Sequence, residues 1–213
     1  MQFLKSNTAT PFCKICFQRI KMNSLRYFLG DDPPICRKCF EQFEPQWIRW
    51  KVGNVRCLAL YEYGGDIKST LYKFKGCGDY ELYPVFFYFA APYIKARYHD
   101  FYIVPTPSSQ SHNDARGFNQ VVAMCRDLGL KMLNPLSKFA ESKQSDLSAK
   151  ERQKVGKIIG WIPKANVRDK KILLVDDVYT TGSTIKACIS LLQKHGARKI
   201  EVLVMSKTFF RRA

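Results

Sequence analysis

Short apolar blocks alternate along this chain with segments whose apolar positions recur every three or four residues. C-L-A-L-Y-E-Y (57–63), F-Y-I-V-P (101–105), K-M-L (131–133), I-L-L-V (172–175) and I-E-V-L-V-M (200–205) read as buried strands. Helical patterns occupy about 66–75, 80–97 and 117–128. The segment 183–196, S-T-I-K-A-C-I-S-L-L-Q-K-H-G, carries apolar residues at 185, 188, 189 and 192 and ends in glycine, the pattern of an amphipathic helix with its C-cap. Strands alternating with helices predict an α/β fold built on a parallel sheet. The most apolar stretch, Tyr80 to Ile94, spans 15 residues and contains Pro84 and Pro92. A membrane span needs about 20 apolar residues, so a buried helix is expected there and no membrane span anywhere.

Charge adds a partner class. Thirty-five Lys and Arg stand against eighteen Asp and Glu, a net +17 over 213 residues. Residues 1–60 hold ten basic and four acidic residues, residues 61–100 five of each, and residues 101–213 twenty against nine. The excess is spread over both ends and is not a basic tail. Such a field attracts polyanions (nucleic acid, an anionic membrane surface or multiply phosphorylated small molecules), or it serves only as a solvated, solubilising face. Met1 to Pro11 lacks a basic segment followed by an apolar one, so a cytoplasmic protein with reduced thiols is expected.

Four of the eight cysteines form two pairs, C-K-I-C (Cys13, Cys16) and C-R-K-C (Cys36, Cys39). A two-residue spacing lets both thiolates of a pair face one ion, and two pairs complete a tetrahedron. With all four positions filled by sulfur, the expected site is structural zinc that organises a small module with little core of its own. The alternative, a pair of dithiol switches, belongs in a βαβ setting that neither pair has. The module and an aromatic connector, Q-W-I-R-W-K (46–51), take up residues 1–56, and the α/β domain residues 57–213.

The sharpest chemistry lies in V-D-D-V-Y-T-T-G-S-T, residues 175–184. In an open parallel sheet, ligands bind beyond the carboxyl ends of the strands. Asp176 and Asp177 stand at such an end, and Thr180, Thr181, Gly182, Ser183 and Thr184 lead into the next helix. A helix N-terminus with hydroxyls and a close-approach glycine suits a phosphate. The carboxylates suit hydroxyls, or a Mg²⁺ organised by the ligand. Hydroxyls, phosphate and Mg²⁺ together describe a ribose 5-phosphate. The structural alternative is a strand, a turn and a capped helix, which gives no reason for two adjacent acids.

This stretch resembles the phosphoribosyl pyrophosphate (PRPP) motif of type I phosphoribosyltransferases. Followed in order by chain position, the cysteine module, L-Y-K-F-K-G (71–76), P-T-P-S-S (105–109), A-R-G-F-N-Q (115–120) and K-Q-S-D-L-S-A-K-E-R (143–152) are similar to the ComF family, of the ComFC type, across essentially the whole chain. The resemblance implies that Asp176 and Asp177 hold the ribose 2′ and 3′ hydroxyls and that residues 180–184 wrap the 5′-phosphate. It implies a pyrophosphate loop at Pro105 to Ser109, including Thr106, and a mobile flap over 143–152. Arg116, Lys143 and Arg152 become diphosphate contacts or solvated surface. It also implies a role in natural transformation, with single-stranded DNA and a helicase-like ATPase of the ComFA type as partners. An active transferase on an unidentified base, or a non-catalytic PRPP sensor, remain alternatives.

Aromatic and basic residues interleave in W-I-R-W-K (47–51) and L-Y-K-F-K (71–75). Trp47, Arg49, Trp50, Lys51, Lys73 and Lys75 are therefore the expected single-strand contacts, stacking faces beside cations. Packing of the same aromatics between module and core is the alternative.

Overall fold

The computed structural model describes residues 11–20, 33–138 and 159–209. A five-stranded sheet organises them. β1 (Ile48–Val52) and β2 (Val55–Glu62) form a hairpin, followed by α2 (Gly65–Gly76), α3 (Tyr83–Phe87) and α4 (Ala91–Tyr98); α1 (Arg37–Phe40) precedes the hairpin. Then come β3 (Tyr102–Pro105), α5 (Gln110–Arg116) and α6 (Gln120–Cys125). A small hairpin of β4 (Leu136–Lys138) and β5 (Ile159–Trp161) is followed by β6 (Lys171–Tyr179), α7 (Ser183–Lys194) and β7 (Lys199–Lys207). The sheet order is β1-β2-β7-β6-β3. Only β1 runs antiparallel to its neighbour, so the expected parallel α/β architecture holds.

Strand periodicity divides the core into two layers. On β6, Leu173 and Val175 face a layer made by α2, α3, α4 and α6, while Ile172 and Leu174 face α7; all four are fully buried. Each such burial contributes about 1.5–3 kcal/mol, which makes β6 the keel of the domain. The amphipathic stripe of α7 lands as predicted, with Ile185, Cys188, Ile189 and Leu192 against Ile172, Leu174, Val202 and Val204.

Three expectations change. The connector 46–51 contains β1, an edge strand paired with β2 from Ile48↔Ala59 to Val52↔Val55, because its alternation (half-buried Ile48, Trp50, Val52; exposed Arg49, Lys51) is that of a strand with one covered face. The helix expected over 80–97 is broken into a 3₁₀ turn, α3 and α4, since Pro84 and Pro92 lack an N–H and are tolerated only in a first turn. The helix expected over 117–128 starts at Gln120. Gly117, at φ +82°, terminates the preceding α5, and the Asn119 side chain caps α6 by accepting from the N–H groups of Val121 and Val122. The K-M-L run adds a single parallel bridge to β3, Ile103↔Met132.

The cysteine-bearing segment is welded to the domain. Cys13, Ile20, Ile35 and Phe43 share the core layer of α2 and α3, and Phe40 packs on Phe89 with ring centroids 4.1 Å apart. Among the described residues no helix is long and apolar enough to cross a membrane.

Candidate functional site

Because successive strand residues point to opposite faces, Asp176 and Asp177 diverge. Asp176 faces the α7 side; Asp177 faces the α2 side. Both lie inside β6, which runs on to Tyr179. Register sets Thr106 beside them: Pro105 pairs with Val175, and Thr106, the first residue after β3, donates its N–H to the Val175 carbonyl at 2.8 Å. The buried Thr106 hydroxyl donates to Asp176 Oδ1 at 2.6 Å, and the Asp177 N–H donates to the same oxygen at 2.9 Å. Asp176 Oδ2 accepts from no described residue. Burial, and then the charge of Asp177, lift the Asp176 carboxyl to about 7 against the pull of the Thr106 hydrogen bond. In turn, burial and the Asp176 charge push the Cys188 thiol up to about 12.

Asp177 is only 7% exposed. Its Oδ1 accepts from the Val178 N–H at 2.7 Å, and its Oδ2 from Lys75 Nζ at 2.9 Å and Gln120 Nε2 at 3.5 Å. Arg116 belongs to the same cluster: its Nε donates to the Lys75 carbonyl at 2.9 Å and its guanidinium to Gln120 Oε1. A cavity of about 280 Å³ opens beside it, lined by Lys75, Gly78, His112 and Arg116. Lys75, expected on a DNA surface, and Gln120 both meet Asp177 instead. The signal for Lys75 was in the helix period: it follows Ile67 and Leu71, two of the four buried positions of α2, at steps of eight and four.

The loop 180–184 starts where β6 ends. Thr180, Thr181 and Ser183 are exposed, with the Thr181 hydroxyl 3.3 Å from that of Ser183. Gly182 precedes the first turn of the twelve-residue α7 in the left-handed region, φ +74°. A Cβ there would lie 2.3 Å from the Tyr179 hydroxyl oxygen, so both backbone and space require glycine. Tyr179 is held in turn by an edge contact with Trp50, centroids 4.9 Å apart.

The flap residues Lys143 and Arg152 fall outside the described residues. The ends of the intervening segment are joined by the β4–β5 ladder, from Leu136↔Trp161 to Lys138↔Ile159. Of the expected DNA contacts, Arg49, Lys51 and Lys73 are exposed. Trp47 is half-buried on Tyr93, at 4.7 Å between centroids, and Trp50 is half-buried on Tyr179 beneath Lys207.

The four thiols converge. The Sγ atoms of Cys13, Cys16, Cys36 and Cys39 all lie within 4.8 Å of one another, and those of Cys16 and Cys36 are 3.7 Å apart. Tetrahedral zinc with Zn–S near 2.3 Å places ligand sulfurs about 3.8 Å apart, so this cluster could hold a zinc. Burial raises the Cys13 thiol, but the N–H groups of Cys16, Cys36 and Ile15 together outweigh it and bring it down to about 7, poised to give a thiolate. Cys39 is held well above its ordinary range by burial and by its neighbouring thiols, as expected of four sulfurs sharing a site that a cation relieves.

Residues 103–208, which include Thr106, the acid pair and the loop, match the family model of the phosphoribosyl transferase domain. The chain is 34% identical over 156 residues to competence protein ComFC of Streptococcus pneumoniae, covering 73% of this chain and 69% of that protein. It is 31% identical over 154 residues to competence protein ComFC of Bacillus subtilis, covering 70% and 63%. Competence protein F of Haemophilus influenzae is 32% identical over 108 residues, 47% of each chain. With a phosphoribosyltransferase-type sheet, an N-terminal four-cysteine cluster and this likeness over more than two thirds of a ComFC protein, the chain belongs to the ComFC family.

Proposed function

We propose that this protein is a competence accessory factor that handles single-stranded DNA alongside a helicase-like ATPase of the ComFA type and carries a PRPP/Mg²⁺ site. The observation that carries the ligand reading is the acid pair at the carboxyl end of β6, backed by Thr106 and followed directly by the Gly182 loop. Asp176 Oδ2 and the Asp177 carboxylate are the acceptors for the two ribose hydroxyls. The N–H groups at the start of α7 and the hydroxyls of Thr180, Thr181, Ser183 and Thr184 receive the 5′-phosphate. Pro105 and Thr106 begin the loop that borders the diphosphate, and Arg116 neutralises it, with Lys143 and Arg152 added from the flap. Mg²⁺ supplies charge neutralisation of the diphosphate when it is bound with the ligand.

On this reading the cysteine-bearing segment before β1 is a zinc-organised module, and the sheet domain that opens with the β1–β2 hairpin binds the ligand. The net +17 charge gives the affinity for a phosphate backbone, with steep salt dependence. The competence role follows the names of the ComFC relatives and the partnership that the family resemblance implies.

A second reading, an active transferase, is favoured by the cavity bordered by Arg116 and by Lys75, whose ammonium contacts Asp177, which leaves room for an acceptor. Titration of the purified protein with PRPP and Mg²⁺ tests the ligand site. Binding by the wild-type protein and its loss in the Asp176→Ala/Asp177→Ala double variant, with a cooperative unfolding transition retained, is the expected result. Equal affinity in the double variant overturns the site. Release of pyrophosphate with one of a panel of free bases would select the second reading.

A further inference from the structure

We infer that the β1–β2 hairpin carries a subsite for one nucleotide of a single strand, with the phosphate on Arg49, Lys51 and Arg56 and the base in the cavity against Tyr93. This rests on the single-strand reading above and gives it a location.

Strand alternation separates the two faces of β1. Ile48, Trp50 and Val52 turn toward the α7 layer; Arg49 and Lys51 turn to the other side. Register then does something unfavourable. Lys51 pairs directly across the hairpin with Arg56, and Arg49 pairs with Leu58, which puts Arg49 diagonal to Arg56 on the same face. Like charges directly opposite one another destabilise a hairpin. None of the three makes an ion pair with a described residue.

An acid stands within reach and is not used. Arg56 is the register neighbour of Glu201 on β7. Yet the Glu201 carboxylate, 3% exposed, is taken by Arg97 at 3.1 Å and Lys199 at 2.8 Å. Its charge is doubly compensated, and the triad of cations is left facing outward with no acidic partner among the described residues. A cluster serving the fold alone would spend Glu201 on Arg56.

Between these residues lies a cavity of about 360 Å³, lined by Arg49, Lys51, Arg56, Leu58, Tyr93 and Arg97, with Glu201 at its floor. That is within the range of small-molecule pockets and holds one nucleotide unit. Tyr93 is fixed by its edge contact with Trp47, so its ring is a rigid wall. Cations tracking a backbone beside an aromatic wall are the elements of single-strand recognition, and a concave pocket accepts a base only once it is unstacked. Glu201 pairs with Leu173 in register, three residues before Asp176, and β2 lies two strands from β6. The subsite is therefore separate from the acid pair and open while that site is occupied.

The test uses the full chain and a labelled oligothymidylate of about twelve residues, with affinity measured over a series of salt concentrations. The variants are Arg49→Gln/Lys51→Gln/Arg56→Gln, Tyr93→Leu, and Lys186→Gln/Lys194→Gln on the exposed face of α7 as the charge-removal control. The triple variant should weaken binding at least about tenfold and flatten the salt slope by about 0.7, the share of the one phosphate held there. Its Tm should stay level or rise, because repulsion is relieved. Tyr93→Leu should weaken binding roughly tenfold at an unchanged salt slope. The α7 control should change affinity less than threefold, roughly the effect of diffuse charge alone. If the wild-type protein does not bind the oligonucleotide, the single-strand reading itself fails. If it binds and the triple variant matches the α7 control, the subsite is wrong and the reading stands. Displacement by thymidine monophosphate at the oligonucleotide's own Kd, or equal competition by duplex, overturns the assignment to a single strand.

Discussion

Lys75, at the end of α2, places its ammonium 2.9 Å from Oδ2 of Asp177, 102 positions later in the chain. The contact ties the helix that carries the exposed Tyr72 and Lys73 to the acid pair at the carboxyl end of β6. It also explains how two adjacent carboxylates coexist. Asp177 is compensated by a cation, and Asp176 keeps its proton more tightly than a free carboxyl does, near 7.

Lys75→Met should therefore move the pH dependence of ligand binding. Asp176 accepts hydroxyls best when ionised, so binding of PRPP and Mg²⁺ by the wild-type protein should strengthen as pH rises through about 7. Removing the ammonium leaves the Asp177 charge uncompensated beside Asp176. That raises the Asp176 carboxyl further, and the midpoint should shift upward by about one unit. Isothermal titration from pH 5.5 to 9, roughly two units either side of that value, reads the shift. Coincident profiles for the two proteins would remove Lys75 from the site.

Asp176→Asn separates the ligand role from the stability role. The unfolded chain releases this proton near its ordinary value of 3.8, the folded chain only near 7. Between those values the unfolded state binds fewer protons, so the wild-type protein loses stability as pH rises from about 4 to about 7 and then levels off. Asparagine keeps an oxygen for the Thr106 hydroxyl and the Asp177 N–H without the charge. The variant should gain stability over wild type across that window, up to about 4 kcal/mol at 1.36 kcal/mol per unit, and lose PRPP binding. Urea denaturation at pH 4.5 and pH 8 measures it; an equal difference at the two pH values would falsify the buried-carboxyl account.

What the sequence made legible follows from which forces are local. Ile172 to Val175 and the stripe of α7 were readable because burial on one or both faces imposes a period on the chain itself. The V-D-D-V-Y-T-T-G-S-T stretch was readable because a strand end, a glycine at φ +74° and a helix start are contiguous. The connector 46–51 hid β1: aromatic and basic residues describe a stacking surface and a half-covered edge strand equally well, and only pairing with β2 decides. The helix period puts Lys75 on the covered side of α2, but its pairing with Asp177, like that of Gln120, was illegible because the two come from different helices. No local pattern encodes which distant cation a carboxylate will choose.

Cys39→Ser tests whether the thiol cluster is a structural metal site. Cys13 lies in the core layer shared with α2 and α3, and Cys36 and Cys39 pack against it, so a bound ion also holds Ile35 and Phe43 in place. The purified wild-type protein should contain one zinc per chain by elemental analysis, and the variant far less. Its Tm should fall by roughly 5–10 °C, equivalent to about 2–3 kcal/mol in a domain of this size. Strong chelation of the wild-type protein should reproduce that fall. An unchanged Tm after complete metal removal sinks the structural role, even if zinc was present.

Gly182→Ala should damage the loop for two separable reasons. The backbone at φ +74° costs an L-residue about 1 kcal/mol. The new Cβ would also meet the Tyr179 ring, with the hydroxyl oxygen at 2.3 Å and the ring carbon that bears it at 2.6 Å. Tyr179 cannot retreat freely, because Trp50 packs against it and Lys207 lies over Trp50. The single variant should therefore lose about 2–4 kcal/mol and bind PRPP at least about tenfold more weakly, the alanine displacing the N–H groups at the start of α7. In a Tyr179→Ser background the steric part is already gone, so Gly182→Ala should cost only the backbone term, about 1 kcal/mol. A double-mutant cycle by chemical denaturation gives the coupling directly. A coupling near zero would mean that the loop moves away from Tyr179 on its own, and that this tyrosine does not fix the position of the residues expected to wrap the phosphate.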